Sequence, residues 1–363
     1  MLSAEFSDPA VAGRLLEAIR HEAPDRRVNI MEVCGTHTMA IARAGLRSLL
    51  PDNIRLISGP GCPVCVTPSG AVDAVLRLSH QKNIVIATYG DMLRVPGSVR
   101  GTSLMRERAY GADVRTVYSP MDAVDMAACE PEKEFVFLGV GFETTAPGTA
   151  STVEAAQAAG LRNFSVFSML KTVEPALRAL DALPDFSIDA FLCPGHVATI
   201  IGEEGFRFIP ESLGLPAVIA GFEPLDLLAS VLMLIRILNA GSPSLKNEYT
   251  RAVRPEGNPA ARALMGRVFS ARTDVWRGLG PIPGSGLGLS PSLERYDAEK
   301  RHGLTVSDAP DPAGCRCGDV IRGFLPPEGC PLFGKLCVPE DPVGPCMVSS
   351  EGACAAAYKY RQV

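Results

Sequence analysis

The chain has 363 residues, 47% hydrophobic and 21% charged, with a formal net charge of −5. That length calls for two or three domains with real cores, and the composition excludes a disordered chain. Slight acidity without a basic run argues against nucleic acid as the main partner. The most apolar stretch, 225–238, carries Asp226 and Arg236 and is too short to cross a bilayer, so no membrane partner is expected. Glu5 and Asp8 stand early in an N-terminal stretch that holds no apolar core of signal-peptide length. Eleven cysteines in an unexported chain point to a reducing, cytoplasmic setting, where thiols serve metal or redox chemistry more often than structural bridges.

In chain order, Val11, Leu15, Leu16 and Ile19 predict an amphipathic helix over 10–21, stopped by Pro24. A short strand over 28–33 runs into Cys34-Gly35-Thr36-His37, and a helix over 39–49 is closed by Pro51. A strand over 54–58 delivers Gly59-Pro60-Gly61-Cys62-Pro63-Val64-Cys65, and a helix over 69–79 leads to a strand over 84–88 that ends on Tyr89-Gly90-Asp91-Met92. Ser119-Pro120 is an N-cap with proline at the first helical position, opening a helix to about Cys129. The pattern then restarts. A strand over 135–140 feeds Gly141-Phe142-Glu143-Thr144-Thr145, and a helix runs over 147–159. Strands over 164–170, 188–192 and 216–220 follow, the second entering Cys193-Pro194-Gly195-His196 and the third Gly221-Phe222-Glu223 with a long helix to Asn239. Strand, loop and helix in alternation specify parallel sheets with right-handed crossovers. The predicted fold class is α/β, with two similar parallel-sheet α/β domains over 22–130 and 131–239. A C-terminal, mostly helical and loop-rich iron–sulfur domain over 240–363 follows, with residues 1–21 as a candidate addition. It comprises a helix near 258–270, a linker-like stretch over 280–290 and a cysteine-rich segment.

Ligands of open parallel sheets sit beyond the carboxyl ends of the strands, so the loops there carry most weight. Cys34 enters a helix whose N-terminal amides and dipole favour a thiolate, with His37 as a base or ligand three residues on. The alternative is a buried, unreactive cysteine at a strand end. Cys62 and Cys65, separated by Pro-Val, suit a dithiol that cycles with a disulfide, or half of a metal site. Cys193-Pro194-Gly195-His196 is either a ligand pair or a tight turn presenting one functional histidine, His196. Asp91 is the polar member of its own post-strand loop. Cys129, beside Ala127 and Ala128, reads as structural, and His21, His80 and His302 read as surface residues. No Gly-x4-Gly-Lys-Ser/Thr run occurs, and no loop fits Gly-x-Gly-x-x-Gly as a strand–helix turn.

Six cysteines crowd the C-terminal fifty residues as Cys315-x-Cys317-x12-Cys330-x6-Cys337-x8-Cys346-x7-Cys354, among glycines and prolines with little apolar periodicity. Burial alone does not hold such a segment. A disulfide knot belongs to small secreted domains, and zinc prefers Cys-x2-Cys knuckles that are absent from this segment, so a cubane iron–sulfur cluster suits the wide spacing best. Zinc and free thiols stay open as alternatives.

With these residues collected, the chain resembles the HypD family of hydrogenase maturation factors. The carrying motifs are Met31-Glu32-Val33-Cys34-Gly35-Thr36-His37, Gly59 to Cys65, Thr88-Tyr89-Gly90-Asp91-Met92, Gly141 to Pro147 and Cys193-Pro194-Gly195-His196-Val197. Cys315-Arg316-Cys317-Gly318, Pro331-Leu332-Phe333-Gly334-Lys335 and Cys346 to Cys354 complete the match, which covers nearly the whole chain. The resemblance implies a scaffold on which the Fe(CN)2CO moiety of [NiFe]-hydrogenases is put together. It implies iron shared between Cys34 and a small chaperone, HypC, cyanide delivered by HypE after charging by HypF, and a C-terminal [4Fe-4S] cluster likened to ferredoxin:thioredoxin reductase. Soft iron of this kind wants a thiolate, and attaching cyanide and CO requires electrons. In the reductase, Cys-x-Cys units pair a ligand with a redox cysteine. The likeness therefore implies Cys315 as a ligand and Cys317 as a redox thiol. Cys330 and Cys337 bracket a compact turn suited to two corners and Cys346 follows Gly344-Pro345, so the expected ligands are Cys315, Cys330, Cys337 and Cys354, with Cys317 and Cys346 as a redox pair and Glu351 as a proton carrier; the simpler set Cys330, Cys337, Cys346 and Cys354 is the alternative. His37, His196 and Asp91 are expected to handle protons or support the site. The competing function is an iron–sulfur thiol–disulfide reductase acting on a partner protein, with Cys34 incidental.

Overall fold

The computed structural model describes residues 8–307 and 309–360. Glu5, part of the stretch weighed against an export signal, lies outside them. The strands are β1 (Val28–Glu32), β2 (Ile54–Ser58), β3 (Ile84–Thr88), β4 (Asp113–Thr116), β5 (Glu134–Gly141), β6 (Phe164–Leu170), β7 (Ala190–Pro194), β8 (Ala217–Ala220), β9 (Leu245–Asn247), β10 (Phe269–Trp276) and β11 (Gly280–Leu289). β3, β6, β7 and β8 are buried at every position. That is why β3, β7 and β8 read as nearly continuous apolar runs and not as alternating ones, and why even Ser165 and Ser168 of β6 are buried: helices cover both faces of a parallel sheet.

Two parallel sheets form, one of five strands in the order β2-β1-β7-β8-β9 and one of four in the order β4-β3-β5-β6. The expected break near residue 130 therefore falls inside a sheet. β3 and β4 before it share the second sheet with β5 and β6 after it, while β1 pairs with β7 through Met31–Phe191 and Glu32–Leu192. Chain-order reading assigns neighbouring strands to one sheet, a tendency that long-range pairing overrides here. The consequence is functional. The loops after β1, β2 and β7, which carry Cys34, Cys62 and Cys65, and His196, emerge side by side.

Helix Pro9–Glu22, capped by the Asp8 carboxylate on Ala10 N–H at 2.8 Å, buries Leu16 and Ile19 in the core of the first sheet. Its last turn is tied to helix Pro224–Ala240 by Glu22 and Arg236 at 2.7 Å. The described part of the N-terminal stretch thus packs on the first sheet and not on the C-terminal segment. The helix expected over 39–49 breaks into Gly35–Arg43 and Leu46–Leu49 at Gly45, whose φ of 63° is left-handed.

The region after 240 is less helical than expected. Residues 269–289 form an antiparallel hairpin, β10–β11, which joins the edge of the second sheet through Lys171 and Gly286. Glycine and proline make 280–290 look like a linker, yet a Cβ at Gly286 would sit 2.6 Å from the Asp274 Cβ across the hairpin. The strands approach too closely there for any side chain. Cys317, Cys337, Cys346 and Cys354 pack into the same apolar cluster as Val64, Cys65 and Met92, so the cysteine-rich segment shares its core with the sheets.

Candidate thiol and metal site

Cys34 is the residue before helix Gly35–Arg43, extended at φ −149° and ψ 124°, and buried. Gly35 N–H donates to Gly61 O at 2.9 Å, and a Cβ at Gly61 would overlap the Cys34 backbone. Burial pushes the Cys34 thiol up to about 12, against the amides of His37 and Thr36. The helix N-terminus alone therefore does not hold a thiolate: desolvation costs several kcal/mol, against ~0.3–1 kcal/mol from a helix dipole. Thr36 Oγ1 donates to Glu351 Oε1 at 2.6 Å, and a Cβ at Gly35 would lie 2.5 Å from the Glu351 Cβ. The C-terminal turn thus rests directly on the Cys34 loop.

Cys62 and Cys65 form a disulfide on the short helix Pro63–Val66, with Cα atoms 5.2 Å apart, inside the range a disulfide bridges. A gap of about 10 Å³ is bordered by Cys62, Cys65, Cys346 and Glu351. A cleft of about 530 Å³ opens beside it, bordered by Val64 after β2, Asp91 after β3, Thr145 after β5, and Glu351. The strand ends of both sheets thus face one another across the C-terminal turn.

His37 is fully buried, and its Nε2 donates to Gly221 O at 3.0 Å and Ala220 O at 3.3 Å. Nδ1 has no partner among the described residues, and burial pulls the ring down to about 4, so it is neutral. Phe222 contacts both histidines, with centroids 4.8 Å from His37 and 3.8 Å from His196. His196 is exposed, whereas Cys193 is fully buried, its thiol pushed up by desolvation. The turn therefore presents the histidine and hides the cysteine. Cys129 is exposed, and His80 pairs with Glu107 at 3.1 Å on the surface.

The Cys317 sulfur lies within hydrogen-bonding reach of Cys315, Cys346 and Cys354, and that of Cys346 within reach of Cys354. The hydrogen bond from Cys317 holds the Cys315 thiol down. A Cβ at Gly344 would lie 2.6 Å from both the Cys315 and Cys317 sulfurs, so the backbone presses on two thiols at once. Cys337 accepts the Val343 N–H at 3.3 Å, and Cys330 is half-buried. Among the described residues no group of three or more His, Cys, Asp or Glu stands as a metal-holding set. The donor type, six soft sulfurs in one lobe against close backbone, fits an iron–sulfur cluster.

Glu32, Glu143 and Lys171 are buried charged residues that the sequence did not single out. Glu32 ends β1 and accepts from Thr38 at 2.8 Å and Ser58 at 2.6 Å, with Arg47 at 3.3 Å. Burial nonetheless raises its carboxyl to about 7. Glu143 accepts the Val173 N–H at 2.9 Å, leaves Oε2 without a partner among the described residues, and is likewise raised to about 7 by burial. Lys171 reaches Val275 O at 2.9 Å and Asp274 at 3.1 Å over the Trp276 ring. Each closes an apolar strand, or follows it within two residues, which is the signal that marks them.

A family model for HypD, described as the Hydrogenase formation hypA family, matches residues 10–361. The chain belongs to the HypD family. The hydrogenase maturation factor HypD of Azotobacter vinelandii is 47% identical over 363 residues, covering 98% of this chain and 96% of the relative. HypD of Escherichia coli (strain K12) is 45% identical over 365 residues, covering 99% and 97%. The hydrogenase expression/formation protein HupD of Azotobacter chroococcum mcd 1 is 47% identical over 363 residues, covering 98% and 96%. Membership in the HypD family bears out the motif resemblance across both sheets and the cysteine-rich segment. No helix among the described residues is long and apolar enough to cross a membrane.

Proposed function

We propose that this HypD-family chain is the scaffold on which the Fe(CN)2CO moiety of a [NiFe]-hydrogenase is built, in the cytoplasm, with iron as cargo held at Cys34. A small HypC-type chaperone supplies the second thiol and HypE the cyanide. The observation that supports this reading is the junction itself. Cys34, the Cys62–Cys65 disulfide, Cys346 and Glu351 meet where the loops of two sheets and the C-terminal turn close on one another. Because desolvation keeps Cys34 protonated, taking up iron there releases a proton, and Glu351, already hydrogen-bonded by Thr36, is the adjacent carboxylate that accepts it. Neutral His37, fixed by two backbone carbonyls, orients the helix behind Cys34, and Asp91 faces the incoming partner across the cleft.

Cys315, Cys330, Cys337 and Cys354 hold a [4Fe-4S] cluster in this reading, and that cluster, when bound, supplies electrons for ligand attachment. Cys317 and Cys346 form the redox pair between those ligands and the Cys62–Cys65 disulfide. Cys346 supports this by touching Cys317 on one side and bordering the gap to Cys62 and Cys65 on the other. A reductase acting on a foreign disulfide needs an exposed dithiol, whereas Cys62 and Cys65 are only 5% and 2% exposed. Replacement of Cys34 by alanine tests the assignment. Maturation is expected to stop while the visible absorption of the C-terminal cluster persists, and retained maturation would sink it.

A further inference from the structure

The hairpin β10–β11 does more than extend a sheet. Arg277 follows β10 directly, and its guanidinium is 1% exposed. Its amide donates to Val66 O at 2.9 Å, Nε to Thr67 O at 3.0 Å, and Nη1 to Ser69 Oγ at 3.0 Å and to the Asp311 carboxylate. The first three acceptors lie within four residues of Cys65. Asp311 begins the run into Cys315, and its own carboxylate also receives the Ser69 hydroxyl at 3.1 Å. One residue on, a Cβ at Gly278 would lie 2.5 Å from the Gly318 Cα, immediately after Cys317. A single hairpin tip therefore grips the segment after the disulfide with one residue and the cysteine-rich segment with the next.

We propose that Arg277 is a positioning residue for thiol–disulfide exchange, fixing the Cys62–Cys65 turn against the segment that carries Cys317 and Cys346. This rests on the redox role proposed above for those thiols. The structure holds Cys62–Cys65 as a disulfide and Cys317 and Cys346 as free thiols, which is the starting state of the step. The Cys346 sulfur, on losing its proton, attacks one sulfur of the Cys62–Cys65 bond, and the displaced thiolate takes up that proton. Cys317 then attacks Cys346 in the mixed disulfide, closing a Cys317–Cys346 bond and releasing the second thiol. Two electrons and two protons move from one pair to the other, and no outside oxidant enters. In-line attack on a disulfide is sensitive to placement, and a misplacement on the order of 1 Å costs about 100-fold. A planar fork bonded to three side-chain-accessible acceptors holds such a placement where a lysine cannot.

The test is the exchange rate in the full-length chain, started from the disulfide form and followed by acid quench, differential alkylation and peptide mass. Arg277→Lys is expected to slow transfer to Cys317–Cys346 by ~10-fold or more, since it keeps the charge and loses the fork. Ser69→Ala removes one arm alone and is expected to slow it by about threefold; it serves if Arg277→Lys does not fold. Leu16→Ala, which loosens an apolar cluster separate from the one that holds Cys62, Cys65, Cys317 and Cys346, is expected to keep the wild-type rate, separating positioning from general loosening. Wild-type rates in Arg277→Lys, or in Ser69→Ala where that variant stands in, overturn the role of Arg277 and leave the exchange reading standing. No transfer in the wild-type chain overturns the exchange reading itself, and this inference with it.

Discussion

Replacing Gly35 by alanine tests the contact between the Cys34 loop and the C-terminal turn. The added Cβ would lie 2.5 Å from the Glu351 Cβ and 2.9 Å from the Glu351 carbonyl oxygen. Carbon atoms pack at about 3.5–4.0 Å, so the turn must retreat by roughly 1 Å, and a backbone oxygen cannot swing aside as a side chain does. Overpacking of this kind costs ~1–3 kcal/mol, and the strained Thr36–Glu351 hydrogen bond adds about 1 kcal/mol. Taking ~2 kcal/mol, and ~2.1 cal/mol/K per residue for the entropy of unfolding, the 363-residue chain has about 0.8 kcal/mol/K and the midpoint falls by ~3 °C. The local effect is larger. If the cost falls on the opening that exposes Cys34, alkylation of that thiol accelerates by ~30-fold, because 1.4 kcal/mol is about a factor of ten. Thermal unfolding and timed alkylation with peptide mass read both numbers. A variant with the wild-type midpoint and unchanged Cys34 protection would refute the claim that Glu351 seals Cys34.

Glu143 titrates near 7 in the folded chain and at 4.5 in the free side chain, so the folded state binds the proton more tightly. Its contribution is full below pH 4.5 and is lost as pH rises to 7, and Glu143→Gln is expected to be more stable than wild type by ~1–3 kcal/mol above pH 7 and not at pH 4; an equal difference at both pH values contradicts this. Cys317→Ser and Cys346→Ser are expected to keep the visible absorption of the cluster and lose maturation, while serine at Cys315, Cys330, Cys337 or Cys354 bleaches it; a colourless Cys346→Ser chain reverses that division. Cys62 and Cys65 are expected to differ by two hydrogens in mass between reduced and mildly oxidised chain, and stoichiometric zinc at the pair would contradict the assignment.

Much of the site was legible because strand ends announce themselves. Apolar runs that stop on Cys34, Gly59 to Cys65 or Tyr89-Gly90-Asp91 mark post-strand loops, and those are the loops that meet here. The partition of strands between sheets was not legible, because β1 finds β7 across roughly 160 residues and nothing local encodes that pairing. The hairpin was hidden for the opposite reason. Gly280 to Gly288 looks flexible alone, yet a Cβ at Gly286 would meet Asp274 and one at Gly288 would meet Arg272, so the glycines let β11 lie close against β10. The protonated state of Cys34 also lay beyond the sequence. A helix N-terminus suggested a thiolate, and only the depth of burial, set by Gly35, Gly61 and Glu351 together, reverses the sign.

The central claim, iron held at Cys34 for ligand assembly, is tested most directly by an infrared spectrum of the full chain isolated with its small chaperone. Bound cyanide and CO absorb in a window where protein does not. The account requires those bands in the wild-type complex and their loss in Cys34→Ala, with the cluster absorption unchanged between the two. Bands that persist in Cys34→Ala would contradict it, placing the iron elsewhere.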